Sequence, residues 1–127
     1  MRRQQGVESL AVGELRGVAR FRIHDGKLEE FKRLSAEARE IMRAKDPGTL
    51  QYDIYFNDDE SECIVLERFT DSEALIAHAA NMGELSEAIL SIVDVVHGEL
   101  LGEPNAEIRA NLAGMDVPQL FTPYMSL

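Results

Sequence analysis

The sequence predicts an α+β domain in which two helices cover one face of a four-stranded antiparallel sheet, with elements in the order β-α-β-β-α-β. Three observations carry this expectation. Residues 14 to 23 alternate in polarity with a period of two, two later segments repeat apolar residues every three or four positions, and a short polar run joins two further alternating stretches. At 127 residues and 45% apolar content the chain can bury one modest core, because a domain of this size removes roughly two thirds of its unfolded surface from water.

The first strand places Leu15, Gly17, Ala19, Phe21 and Ile23 on one face and Arg16, Val18, Arg20 and Arg22 on the other. His24-Asp25-Gly26 turns the chain. Leu28, Phe31, Leu34, Ala38, Ile41 and Met42 then follow helical spacing, with Glu29, Lys32, Arg33 and Glu37 on the solvated side, until Asp46-Pro47-Gly48 stops the helix. Leu50, Tyr52, Ile54 and Phe56 alternate with Gln51, Asp53 and Tyr55 in a second strand, and the polar run 57 to 61 forms a hairpin to a third. That third strand, Glu62 to Phe69, carries Cys63 and Val65 on one side and Ile64 and Leu66 on the other, the pattern of a central strand covered on both faces.

Thr70 and Glu73 have the spacing of a capping box, so a second helix is expected to begin near Asp71. Leu75, His78, Ala79, Met82, Leu85, Ile89, Val93 and Val96 share its apolar seam, with Gly83 able to break it in two. His78 therefore sits among apolar neighbours. His97 to Leu101 can form a fourth strand before Gly102. This order is the ferredoxin-like split βαβ sandwich, whose helices leave one sheet face bare. A second copy of the chain is the simplest cover. Val18, Tyr55 and one face of the third strand would meet it, with Arg16, Arg20 and Arg22 pairing with Asp53 or other carboxylates.

Pro104 and Asn105 can start a short helix that runs through Leu112 and ends at Gly114. The stretch from Asp116 to Leu127 is too apolar for a solvated tail and is expected to dock on the partner subunit or at the mouth of a pocket in its own subunit. The chain thus divides into an N-terminal extension, residues 1–13, the domain proper, 14–102, and a C-terminal helix with its docking tail, 103–127.

With 13 Lys and Arg against 23 Asp and Glu, the net charge of −10 repels phosphate backbones, which argues against nucleic acid as a partner. No window approaches the ~18 apolar residues of a membrane span. Arg2 and Arg3 are followed by no apolar signal core, so a soluble, cytoplasmic protein is the expectation. Cys63 is the sole cysteine and reads as a buried, inert thiol. His24, His78 and His97 lack metal-ligand spacing, and no Gly-rich phosphate loop or Gly-x-Ser-x-Gly is present.

The segment Gly17 to Leu34, together with Glu67-Arg68-Phe69 leading into Glu73-Ala74-Leu75-Ile76-Ala77-His78, resembles the antibiotic biosynthesis monooxygenase (ABM) family over roughly residues 14 to 102. The resemblance implies a ferredoxin-like fold paired into a dimeric α+β barrel. It also implies oxidation of electron-rich phenols, anthrones or quinols by molecular oxygen without a cofactor. Phe69 stands where the family's Glu-x-Trp motif has its aromatic residue. His78 matches the histidine of the Ala-His-Leu helix motif, with Ala79 replacing the leucine and Gly83 standing where many relatives have a second histidine. The haem-degrading branch of the superfamily fits worse. Its first-strand asparagine falls on Ala19, its haem-ligating histidine on Ala88 and its porphyrin-distorting tryptophan on His78.

Ground-state oxygen is a triplet, so a protein without metal or flavin must make the substrate supply the electron, and deprotonation makes that easier. His78 is the candidate catalytic base, since imidazole titrates near neutral pH and partial burial is expected to keep it unprotonated. Tyr52 and Asn81 are candidate hydrogen-bond donors to the substrate anion, with Phe69 and Met82 completing the substrate-binding wall. No cofactor and no metal is expected. The implied partners are a second copy of the chain, a small aromatic substrate and molecular oxygen. The alternative is a non-catalytic module that uses the same barrel to hold an apolar ligand, with His78 merely packed.

Overall fold

The computed structural model describes residues 13–127, so all but the last residue of the expected N-terminal extension lies outside the described residues. Strand β1 (Leu15–Ile23) leads to helix α1 (Leu28–Lys45), then β2 (Thr49–Phe56), β3 (Glu62–Phe69), helix α2 (Ser72–Leu90), β4 (Val93–Leu101), helix α3 (Ala106–Leu112) and β5 (Gln119–Phe121). The strands lie in the order β2-β3-β1-β4-β5. The first four pair antiparallel, with β1 between β3 and β4, and β5 adds parallel to β4. The α+β, ferredoxin-like order read from the periodicities is observed from β1 to β4, and the parallel β5 makes the sheet five-stranded and mixed where four antiparallel strands were expected.

The core sits between the sheet and the two long helices. Phe31 and Leu34 of α1 and Ile89 of α2 meet Ile23, Cys63, Val65 and Val93 of the sheet. A second cluster joins Leu15, Phe69 and Leu100 to Ile108 of α3. Each large apolar side chain so buried contributes roughly 1.5–3 kcal/mol, and the spacing of these residues is what fixes the helices on one face. Burial also pushes the Cys63 thiol up to about 11, which leaves it protonated and inert.

Several local expectations are corrected. The N-cap of α2 is Asp71 rather than Thr70: its carboxylate accepts from the Ala74 amide at 2.8 Å, while the Thr70 amide is drawn into a bond with the Gly48 carbonyl at 2.9 Å. The helix also stops at Leu90, so Val93 and Val96 belong to β4 and not to the helical seam. These β-branched residues fit a helical spacing by coincidence, and β4 runs four residues longer at its start than the expected His97–Leu101. Opposite Arg20 and Phe21 the register of β4 slips by one, leaving Val96 as the extra residue. Ala79 faces solvent. Leu50, expected on the inner face of β2, falls at a register shift between Thr49 and Gln51 and is turned outward. Gly83 does break α2, with φ 9° and ψ −99° inside the helix.

The basic row of β1 finds its carboxylates in its own chain. Arg20 bonds Glu62 at 2.8 Å, Arg22 lies 3.5 Å from it, and Arg16 bonds Glu14 at 3.1 Å. Asp53 takes none of them and accepts instead from Gln51. The C-terminal stretch docks neither on a pocket mouth nor wholly outside its own fold. Residues 119–121 extend the sheet edge, and Leu120 packs on the cluster of Leu15 and Phe69. On the sheet face opposite the helices, Tyr55 is 57% and Ile64 39% exposed. Among the described residues no helix is long and apolar enough to cross a membrane.

Candidate active site

The site begins where α1 ends. Asp46 caps the helix with its amide on the Met42 carbonyl at 2.9 Å, and its own carbonyl accepts from Thr49 at 3.0 Å, so the residue is held in a closed turn. That turn presses against the first turn of α2. A Cβ placed on Gly48 would lie 2.5 Å from the Ala74 Cβ, which only glycine avoids. His78 stands one helical turn beyond Ala74, and the close approach puts the Asp46 carboxylate against its ring.

Asp46 Oδ2 and His78 Nδ1 are 2.9 Å apart, with Asp46 5% and His78 9% exposed. The second oxygen of Asp46 accepts from the Asn81 side-chain amide, which also reaches the Lys45 carbonyl at 3.4 Å. On the other side of the ring, Nε2 lies 3.5 Å from Oε2 of Glu67, delivered by β3. The Phe69 ring packs on the imidazole with centroids 5.0 Å apart and planes at 53°. One histidine is thus held between two carboxylates and against an aromatic face.

This arrangement reverses the expected direction in which burial shifts the pKa of His78. Burial pulls its pKa down and is the largest single influence, but the hydrogen bonding and charge of Glu67, followed by those of Asp46, together outweigh it and raise the pKa above its ordinary 6.5. Burial alone would lower the pKa, and the two carboxylates oppose it. Asp46 faces Nδ1, so a neutral ring that donates to it carries its proton there and presents Nε2 toward Glu67 and the cavity.

His78 and Glu67 open into a half-enclosed pocket of about 180 Å³ between α1, α2 and the sheet. Phe21, Phe31, Val65 and Met82 give it apolar walls, and Tyr52 stands across from the acid–base pair. The volume is close to the roughly 150 Å³ of an engineered apolar cavity that takes up benzene. Burial raises the Tyr52 phenol to about 12, a nearby Ser35 hydroxyl partly opposes this, and the charge of Glu67 adds to it. The phenol therefore remains a donor across the physiological range.

Of the residues singled out in the sequence, His78, Tyr52 and Met82 line this one cavity. Phe69 does not line it, because it is 1% exposed and sealed behind the imidazole. Asn81 is no substrate donor either. Its amide is spent on Asp46, and the residue faces away from the cavity. Two residues were missed. Asp46 passed as a helix stop, although Glu67 had a signal: in the inward row Cys63, Val65, Glu67, Phe69 it is the one charge, and an inward carboxylate demands a partner. Asp46, His78 and Glu67 are metal-ligand residue types, yet they bond to one another, and no group of three such side chains among the described residues is placed to hold a metal ion.

The turn geometry gives a first test. Gly48→Ala is expected to lower stability by about 1–3 kcal/mol, the usual cost of overpacking, and to loosen the Asp46–His78 contact, as read by urea unfolding and by the His78 ring resonances.

Fold and cavity together define a ferredoxin-like α+β protein with a buried carboxylate–imidazole–carboxylate site. The profile of the antibiotic biosynthesis monooxygenase family matches residues 15–83, more than half of the chain, and the chain belongs to that family. Among solved structures, MupZ from Pseudomonas fluorescens is similar at 27% identity, covering 91% of this chain and 93% of that one with a TM-score of 0.78. SnoaB from Streptomyces nogalater, described as a cofactor-independent oxygenase, shares 20% identity over 74% of this chain and 96% of its own, with a TM-score of 0.62. A conserved protein from Methanosarcina mazei Go1 shares 21% identity over 75% and 93% of the two chains, with a TM-score of 0.60. No curated protein matches the chain.

Proposed function

We propose that the chain is a cofactor-independent monooxygenase that oxidises a small electron-rich aromatic, a quinol or polyketide phenol, with molecular oxygen. The observation that carries this reading is the 2.9 Å Asp46–His78 pair opening into an apolar cavity of single-ring size. Membership of the family and the similarity to SnoaB support it.

In this reading a neutral His78, oriented by Asp46, takes the phenolic proton at Nε2. Glu67 stabilises the imidazolium, and the Tyr52 hydroxyl donates to the phenolate. The phenolate's ring carbon, now electron-rich, gives its electrons to dioxygen, and the peroxide so formed takes back the proton held by His78 to become a hydroperoxide. The C–H bond of that carbon and the O–O bond then break together: one oxygen stays as the new carbonyl, and the other leaves as hydroxide that takes the carbon's proton and departs as water. The apolar walls keep bulk water from the anion.

A redox-neutral reading rests on a different observation. The raised pKa of His78 makes its imidazolium an acid beside the Glu67 carboxylate, a pair that can move a proton in both directions and so serve addition, elimination or isomerisation. An oxygen electrode and a panel of quinols and phenols separate the readings. Oxygen uptake matched to product, abolished in His78→Ala, supports the monooxygenase. Turnover without oxygen uptake supports the redox-neutral enzyme, and binding without turnover supports a non-catalytic module.

The proposal includes a homodimer formed through the sheet face opposite the helices, where Tyr55 and Ile64 are exposed. Ile64→Glu is expected to convert a dimer to a monomer in sedimentation velocity, because it buries an unpaired charge at the contact.

A further inference from the structure

Beside the His78 pocket lies a second one, of about 290 Å³, on the outer side of Tyr52 between α1 and β2. Phe31 and Tyr52 line both, so the phenol and one aromatic ring form the partition between them. The outer cavity has an apolar floor of Ile54 and Phe56 and carries two cations, Lys32 and Arg39, with no carboxylate among its lining residues. In a chain of net charge −10, a pocket whose lining carries two cations and no carboxylate is against the general trend of the surface.

Both cations make only exposed pairs. Lys32 lies 3.4 Å from Glu60 and 4.0 Å from Glu29, and Arg39 lies 3.6 Å from Glu40; all of these side chains are substantially exposed. Pairs of this kind contribute little and exchange freely. The Ser35 hydroxyl, closed to solvent, stands beside the Tyr52 phenol and helps to hold it in the partition.

We propose that the two cavities form one bipartite site for an amphiphilic substrate: a reacting ring beside His78, joined past Tyr52 to an apolar arm whose anionic end is held by Lys32 and Arg39. This rests on the proposed function, in that the inner cavity takes the ring, and it goes further by assigning the substrate an acidic terminus. The inner pocket of about 180 Å³ holds a single ring and is open on one side, so a substituent on that ring extends out of it. Phe31 and Tyr52, which line both pockets, set the cationic one directly alongside.

The test needs no turnover. Calorimetric binding of 6-(2,5-dihydroxyphenyl)hexanoate, its methyl ester and the corresponding alkyl phosphate is measured without oxygen, on the wild type and on the Lys32→Met, Arg39→Met double variant. The carboxylate is expected to bind about tenfold tighter than the ester, the effect of one charge-assisted hydrogen bond. That advantage should disappear in the double variant while ester binding, which also reports an intact fold, stays the same. Tighter binding of the phosphate than of the carboxylate, lost in the same variant, would assign the anion as a phosphate and support the site. Equal binding of acid and ester to the wild type, or an advantage that survives in the variant, would overturn this inference alone. No binding of any of the three would overturn it together with the proposed function.

Discussion

Replacing His78 with alanine is expected to lower kcat/KM by about 10²- to 10⁴-fold, the range of a lost general acid–base group. The residue is the one side chain that touches both carboxylates and the cavity. Asp46 is shielded behind the ring, and Glu67 lines the cavity as its partner at Nε2. The variant will also be less stable, because Asp46 is left buried with only Asn81 as a side-chain partner. A comparison of kcat with ligand affinity separates the two effects. A folded His78→Ala protein that binds a quinol normally and has lost its rate supports a chemical role; a variant with undiminished rate refutes it. The pH profile adds a direction. If neutral His78 is the base, activity falls on the acid side with a midpoint above 6.5, since its carboxylates raise its pKa. Removing one of them by Glu67→Gln moves that limb to lower pH.

Asp46 is the second position of large effect. Asp46→Ala removes one partner of a buried charged pair and is expected to cost about 3 kcal/mol, at the low end for such pairs because His78 can shed its proton. Chemical denaturation measures this directly. The pair also dictates how stability varies with pH. His78 has a folded pKa above its unfolded 6.5, so its contribution is fully present below 6.5 and is lost as pH rises through the raised value. Glu14 acts in the opposite sense. Its bond to Arg68, the largest influence, holds its pKa below the ordinary 4.5, so its contribution is present above 4.5 and is lost on acidification. Asp46→Asn should flatten the decline above pH 6.5 and leave the acid limb alone.

The fold was legible because its elements are strongly periodic. The alternation of Leu15 to Ile23 and the seam of Phe31, Leu34, Ala38 and Met42 each bury the residues their spacing selects. Legibility failed where one pattern serves two structures. Val93 and Val96 continue a helical spacing, yet Ser91 turns the chain and both enter β4. Thr70 and Asp71 are both good caps, and the winner was decided by a tertiary bond from Thr70 to Gly48. The candidate site was half visible. His78, Tyr52 and Met82 were identifiable from their inward positions, whereas Asp46 lies 32 residues from His78 and enters only because glycine at 48 lets the turn close on α2. That closure also explains why Asn81, a donor by composition, is occupied in holding Asp46.

The pH titration of the His78 ring, followed by NMR in the wild type, Asp46→Asn and Glu67→Gln proteins, bears most directly on the claim that two carboxylates govern this imidazole at the cavity wall. A wild-type midpoint above 6.5 that drops in each variant is the predicted result. A midpoint at or below 6.5, or one that neither substitution moves, would contradict it.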